Sequence, residues 1–385
     1  MKNYCYGWYH RVEDHPRSII TNHKTIVETT NTMKIFGSAL TALSLASSRS
    51  WARGRALSFS SHGSMSEIVD NYDAFILDQF GVLHNGVSAL DGAVECVEKL
   101  YKAGKKLIIL SNTSAPSTAA LQRLPKFGFN PHHITSGVVT SGEEAAKYVL
   151  ERYGSGSTAK KALFFTWDAS DAQNPRLTAL PDQFLEKCGT ISLARTVEDA
   201  DFLLLHGSEV VWYGGGTNLA PVSLSPFITT GSLDSVDPLL EECASRDLPM
   251  VCANPDMIVR TPEGGEAHMP GKLAARYAEL VSERSVECKI FGKPHVENFQ
   301  ACLDRLWEEH GISSTRVAHV GDSLHHDISG AAAAGIASVW TTSSGIHAKD
   351  LDLEFGELPT REAVHELLKK DGTPAPTHIL PAFLW

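Results

Sequence analysis

Four short apolar runs in this chain break off at polar residues, and their order restricts the fold more than any other feature. AFIL at 74–77 ends at Asp78, and KLIIL at 106–110 ends in Ser111, Asn112 and Thr113. CKIF at 288–291 leads through Gly292 to Lys293, and RVAHV at 316–320 leads through Gly321 to Asp322, with Asp327 following. Runs this short suit buried strands and are too short for convincing helices. Between them lie stretches with apolar residues at helical spacing, such as 91–103, which stops at Gly104, and 296–310. Strand and helix patterns in alternation predict an α/β chain with a parallel sheet covered by helices. Ligands bind such sheets outside the carboxyl ends of the strands, so four polar ends are expected to share one crevice. Each alone has a plainer explanation. Ser111 and Asn112 suit a helix cap, Lys293 a solvated loop and Asp322 an N-cap acid. It is the set, on successive units, that points to a site.

Taken in order, helices are expected over 116–127 and 142–152, with a short strand at 133–135 and a boundary in the Gly154–Ser157 run. Buried strands follow at 162–167, 201–206 and 249–253, a glycine-rich turn at 214–216, and helices at 236–245 and 271–283. The first pattern then resumes with strand 288–291, helix 296–310, strand 316–320, helix 324–334 and strand 336–340. The apolar tail THILPAFLW is expected to dock on the core.

A chain of 385 residues with ordinary apolar and charged fractions supplies core for two domains. Residues 1–62 carry eight Lys and Arg against three Asp and Glu, so the remainder is five charges more negative than the whole chain's −11, at −16. Such a body is a poor partner for nucleic acid. Seven cysteines stand singly, with no CxxC, which favours a reducing compartment and disfavours a zinc site. Residues 33–62 are basic and serine-rich and hold no acid, the composition of an organelle transit peptide, with the mitochondrion preferred and the chloroplast or cytoplasm as alternatives. Residues 1–65 are therefore expected to lie outside the fold. No later run reaches the length of a membrane span.

The motifs ILDQFGVLHNG, IILSNTS, IFGKPH and HVGDSLHHDISGAAAAG, with NPD at 254–256 and MPGKLAARYAEL at 269–280, resemble those of the haloacid dehalogenase superfamily, class IIA. The resemblance spans roughly residues 70–350. It implies a Rossmann-like, doubly wound parallel sheet built from 66–154 and 285–385, and an inserted α/β cap over 155–284. It implies a Mg²⁺-dependent phosphohydrolase acting on a small phosphorylated substrate through an aspartyl phosphate. Asp78 would be the nucleophile, Ser111 and Lys293 would hold phosphoryl oxygens, and Asn112 would orient substrate. Asp78, the carbonyl of Phe80 and Asp322 would ligate the metal, with Asp327 fixing Lys293 or the metal waters. Caps of this class often pair, so a homodimer is the expectation.

One position departs from the family pattern. Phosphatases of the superfamily carry a second Asp two residues after the nucleophile, and this chain has Phe80 there. The metal ligand at that position is a backbone oxygen, so what is lost is the general acid and base, worth roughly 10² to 10⁴ in rate. Alkoxide leaving groups suffer most, and acyl or aryl phosphates suffer less. Three readings stay open: a slow or selective phosphohydrolase, with His84, His325 or a cap residue lending a proton; a phosphate-binding or regulatory protein without turnover; and a metal-independent dehalogenase-type hydrolase. The last fits poorly with Asp322 and Asp327. From the cap, His206, Glu209 and Asn254 lie near strand ends and are candidates to face substrate, or to cap helices.

Overall fold

In the computed structural model the described residues are 58–168, 179–212, 221–260 and 265–385. Residues 1–57 of the leader expected over 1–65, and the glycine turn at 214–216, lie outside them. Among the described residues no helix is long and apolar enough to cross a membrane.

The strands in chain order are β1 (Ser60–Ser61), β2 (Ala74–Leu77), β3 (Lys106–Ser111), β4 (Val138–Thr140), β5 (Lys160–Thr166), β6 (Ile191–Leu193), β7 (Phe202–Leu205) and β8 (Val210–Trp212). They continue as β9 (Pro221–Ser223), β10 (Met250–Cys252), β11 (Ile258–Arg260), β12 (Glu266–His268), β13 (Cys288–Ile290), β14 (Val317–Gly321), β15 (Ala337–Thr341) and β16 (His378–Leu380). The core sheet runs β1-β16-β15-β14-β2-β3-β4, and every pairing in it is parallel. β2 and β14 are buried along their whole length, which explains their unbroken apolar sequence in a sheet covered on both faces. One face packs Phe75, Leu77 and Ile109 with Val97 and Leu100 of the helix Ala93–Lys102. The other packs Ile76 and Ile108 against Phe299, Cys302 and Leu306 of the helix Val296–His310. The α/β, doubly wound reading therefore holds.

The cap is a second sheet of order β13-β10-β7-β5-β8-β9, with β6 also on β5. Its β8 and β9 are antiparallel, and β11 and β12 form a separate antiparallel pair. Its limits differ from the expected 155–284. β13, expected to resume the core, pairs instead with β10 of the cap. The helix Ser141–Val149 packs Ala145, Ala146 and Val149 into the cap cluster with Phe164, Phe184 and Phe202. At the other end, β1 pairs with β16 and Met65 is fully buried, so the fold begins before residue 66.

Smaller departures have local causes. The strand expected at 133–135 is a 3-10 turn at Pro131–His133, where Pro131 sets the first turn, and the strand comes after Gly137. The stretch expected as one helix over 324–334 opens with a π turn, Leu324–Ile328, before an α turn at Ser329–Ala333. The tail docks as expected: His378–Leu380 joins the sheet as β16, and Ala382 and Phe383 are buried. No described cysteine is in a disulfide.

Candidate active site

β2, β3 and β14 are neighbours in the core sheet, and they run parallel. Their carboxyl ends therefore deliver Asp78, Ser111 with Asn112, and Asp322 to one edge. Lys293 arrives from the other sheet, past the end of β13. Its Nζ contacts Asp78 Oδ1 and lies 2.8 Å from Asp327 Oδ1. Asp78, Asp322 and Asp327 each offer an oxygen within 4.8 Å of the others. The side chains expected to meet from three separate segments do meet.

Asp327 is fixed by more than the lysine. Its Oδ1 lies 2.8 Å from His319 Nε2, and its Oδ2 accepts the Ser323 backbone N–H at 2.9 Å. His319 Nδ1 lies 3.1 Å from the carbonyl of Ile76, which ties β14 to β2 behind the site. Asp322 accepts the Ile346 N–H at 2.9 Å on Oδ2, and its carbonyl takes the Trp340 indole N–H at 2.9 Å.

Packing three acids this closely needs bare backbone around them. A Cβ on Gly321 would lie 2.1 Å from Asp327 Cγ, and one on Gly345 would lie 2.2 Å from Asp322 Cβ. Gly81 combines such a clash, 2.3 Å from Asp322 Oδ2, with a φ of 81°.

The charge balance is the main electrostatic fact of the site. Three buried carboxylates face one buried ammonium. Burial pushes the Asp78 carboxyl up to about 6, against the pull of Lys293. Burial, with Asp78 and Asp327 close by, also raises Asp322 well above the ordinary carboxylate range. Burial would raise Asp327 too, but Lys293 and the His319 hydrogen bond outweigh it and hold that carboxyl well below its usual value. Burial would lower the Lys293 ammonium, and the two acids it touches raise it instead. The residual excess of negative charge, carried by hard oxygens, fits a hard divalent cation, which prefers such ligands.

These groups line a cavity of about 590 Å³. Ser111 and Phe80 line it, and so does Asn254 from the cap. Asn112 lines it as well, but its polar atoms are engaged by protein. Oδ1 accepts the Lys293 N–H at 2.6 Å, and Nδ2 donates to Asp256 Oδ1 at 2.8 Å and to the Lys293 carbonyl at 3.2 Å. That places Asn112 as a tie between the core sheet, the lysine and the cap. Burial pushes the Asp256 carboxyl up to about 6, with Asn112 and Lys293 opposing.

Among the other candidates, His84 lines the cavity, but its ring stacks on Phe127 at 4.1 Å and its Nδ1 accepts the Gly86 N–H. His325 does not line the cavity, and its neighbour His326 does. His206 is fully buried away from it, with Nδ1 at 2.9 Å from Thr166 Oγ1. Glu209 accepts the Asp168 N–H at 2.7 Å and is likewise off the cavity wall. Sequence reasoning did not assign roles to Asp256, Arg123, His319 or His326. The NPD at 254–256 was a usable signal for Asp256. Nothing local in the sequence marks Arg123 or His319.

Comparison with known proteins agrees with this architecture. A family model described as haloacid dehalogenase-like hydrolase matches residues 75–172, and a second, described as HAD-hydrolase-like, matches residues 290–369. The glycerol-3-phosphate phosphatase of Mus musculus is 27% identical over 266 residues, 66% of this chain and 74% of that protein. A haloacid dehalogenase-like family hydrolase from Brucella suis matches with TM-score 0.59 at 20% identity, over 83% of this chain and 99% of that one. The p-nitrophenyl phosphatase from Archaeoglobus fulgidus matches with TM-score 0.55 at 19% identity, over 81% and 97%. At such identities the structural likeness speaks to the fold.

Proposed function

We propose that this chain, which belongs to the haloacid dehalogenase superfamily, is a divalent-metal-dependent phosphohydrolase selective for phosphate esters or anhydrides whose leaving group departs without a proton. One observation carries the reading: Asp78, Asp322, Asp327 and Lys293, from three segments, converge at one cavity. The relative named glycerol-3-phosphate phosphatase supports the phosphohydrolase part of the reading.

Asp78 is the nucleophile. One of its carboxylate oxygens bonds to phosphorus as the ester oxygen leaves with its electron pair, giving an aspartyl phosphate, and water then cleaves the new acyl phosphate to return Asp78 and release phosphate. Lys293 places a cation beside Asp78, where the transferring phosphoryl group would otherwise meet only acids. Ser111, at the end of β3, is placed to donate to a phosphoryl oxygen. Asp327 holds the lysine in position and stays ionised while doing so. Asp78, Asp322 and the Phe80 carbonyl would hold the cation, with Mg²⁺ as the preferred ion. When bound, it would neutralise the charge that develops on the phosphoryl oxygens.

Phe80 sets the selectivity. It lines the cavity and is 42% exposed, and an aromatic ring supplies no proton to a departing alkoxide. The cap faces it with Met257, Ile258 and Met269, and Ile346 adds to the wall, so the space beside the acids is largely apolar. Aryl and acyl leaving groups fit both facts.

The test is a panel of aryl, acyl and alkyl phosphates with and without Mg²⁺. Turnover that needs the metal, favours aryl and acyl phosphates and disappears in Asp78→Asn is the expected result. A second reading, a ligand-binding protein without turnover, draws on Phe80 alone. Its signature would be metal-dependent phosphate-ester binding with no hydrolysis across the panel.

A further inference from the structure

We propose that Arg123 selects substrates that carry a second anionic group, a carboxylate or a further phosphate, on the leaving-group side. This rests on the phosphohydrolase reading above and names a substrate feature for the same site. Arg123 ends the helix Ser117–Arg123 after β3, and its side chain lines the cavity that holds Asp78 and Lys293. Among the described residues, Arg123 and Lys293 are the two permanent cations that line it. Lys293 is committed to Asp78 and Asp327. Arg123 makes no hydrogen bond or ion pair among the described residues.

Other arginines show what the fold ordinarily does with this side chain. Arg276 is paired with Asp237 and Glu279, Arg316 with Asp73, and Arg305 donates to the carbonyls of Ser136 and Val138. Arg123 is half-buried, and partial burial lowers its pKa with no acid opposing the shift. A guanidinium that has lost water without gaining a partner is a standing cost, removed when an anion that accepts from its donors enters. Its rigid fork of donors matches a carboxylate or a phosphate better than an ammonium would. Glu266 also lines the cavity, from β12, and is not paired with Arg123. The apolar side chains of Phe80, Met257 and Ile258 suit the part of the ligand between its two charged ends.

The experiment compares phenyl phosphate with 3-carboxyphenyl and 4-carboxyphenyl phosphate and with 1,4-phenylene bisphosphate, in the full chain and in Arg123→Gln. The ratio of kcat/KM for a doubly anionic substrate to that for phenyl phosphate is expected to fall about 10- to 100-fold in the variant, the loss typical of one charge-assisted hydrogen-bonding partner. The carboxylate and bisphosphate arms show which anion is preferred. An equal fall on every substrate, or no fall, overturns the proposal. Calorimetry on Asp78→Asn, with and without Arg123→Gln, reads the same ratio as dissociation constants. It decides the proposal even where no substrate turns over, and that outcome would sink only the phosphohydrolase reading. Should Arg123→Gln fail to fold, Arg123→Lys keeps the charge and removes the fork, and a smaller fall of the same sign is expected.

Discussion

Lys293 Nζ lies 2.8 Å from Asp327 Oδ1, and the two side chains are 3% and 1% exposed. The same ammonium contacts Asp78, so a single cation stands among three buried acids. Removing it leaves those acids with no internal counter-charge. Lys293→Met is expected to cost about 3–5 kcal/mol in urea unfolding without metal. Millimolar Mg²⁺ should recover part of that, because an ion that binds only the native state stabilises it by mass action. If Mg²⁺ raises the Tm of neither wild type nor variant, the three acids do not form a cation site.

The approach of Gly345 to Asp322 yields a sharper test of the proposed cation site. A methyl group there would press on the Asp322 side chain, and the next residue, Ile346, donates to its Oδ2. Gly345→Ala should displace that carboxylate, abolish the Mg²⁺-dependent rise in Tm and lower kcat/KM by about 10²-fold, the scale of a misplacement of about 1 Å. Gly156→Ala, whose Cβ would find its nearest atom at 3.6 Å, is the matched control and should leave both readouts in place.

Restoring the carboxylate absent from position 80 should change which substrates react. Phe80→Asp is expected to raise turnover of alkyl phosphates by about tenfold or more, within the range of general acid–base catalysis, and to alter aryl phosphates less. The side chain is well exposed, so the exchange disturbs little packing. Equal rates on alkyl phosphates before and after would mean that another group already supplies the proton.

Acid stability should report on the edge where β1 docks on β16. His378 Nδ1 lies 2.8 Å from Ser60 Oγ, and its Nε2 lies 2.8 Å from Tyr72 Oη. Burial, with His62 adding to it, lowers its pKa to about 4. A histidine held neutral in the fold contributes stability above its unfolded pKa of about 6.5, and that stability is lost as pH falls from there towards 4. His378→Gln should therefore flatten the fall in unfolding free energy over that window, by at most about 1.4 kcal/mol per pH unit. Identical slopes would show that His378 is not held neutral.

The floor of the site was legible because its signals are local. An apolar run that stops at Asp78, Asn112 or Asp322 states both a buried strand and a polar end, and parallel pairing brings the ends together. What was not legible depends on partners distant in sequence. Cys288–Ile290 reads as a strand, yet only its pairing with Met250–Cys252 assigns it to the cap. Pro221–Ser223 forms β9 with all three residues exposed, so no apolar run announces it. Arg123 closes a short helix like many others, and its lack of a partner among the described residues is a property of packing that no spacing encodes. His319 sits inside an apolar run, where the tie to Asp327 becomes visible only in three dimensions.

The assignment of β13 to the cap has a mechanical consequence. Lys293 follows Ile290 by three positions, so the lysine that contacts Asp78 hangs from the edge of the opposite sheet. A cap that swings outward must either drag that ammonium off Asp78 or absorb the motion between Phe291 and Lys293. Gly292, at a φ of 117°, occupies that interval, and the Asn112 side chain grips the lysine backbone from the core side. The contact between Lys293 and Asp78 and the hinge at Gly292 thus share the same few bonds.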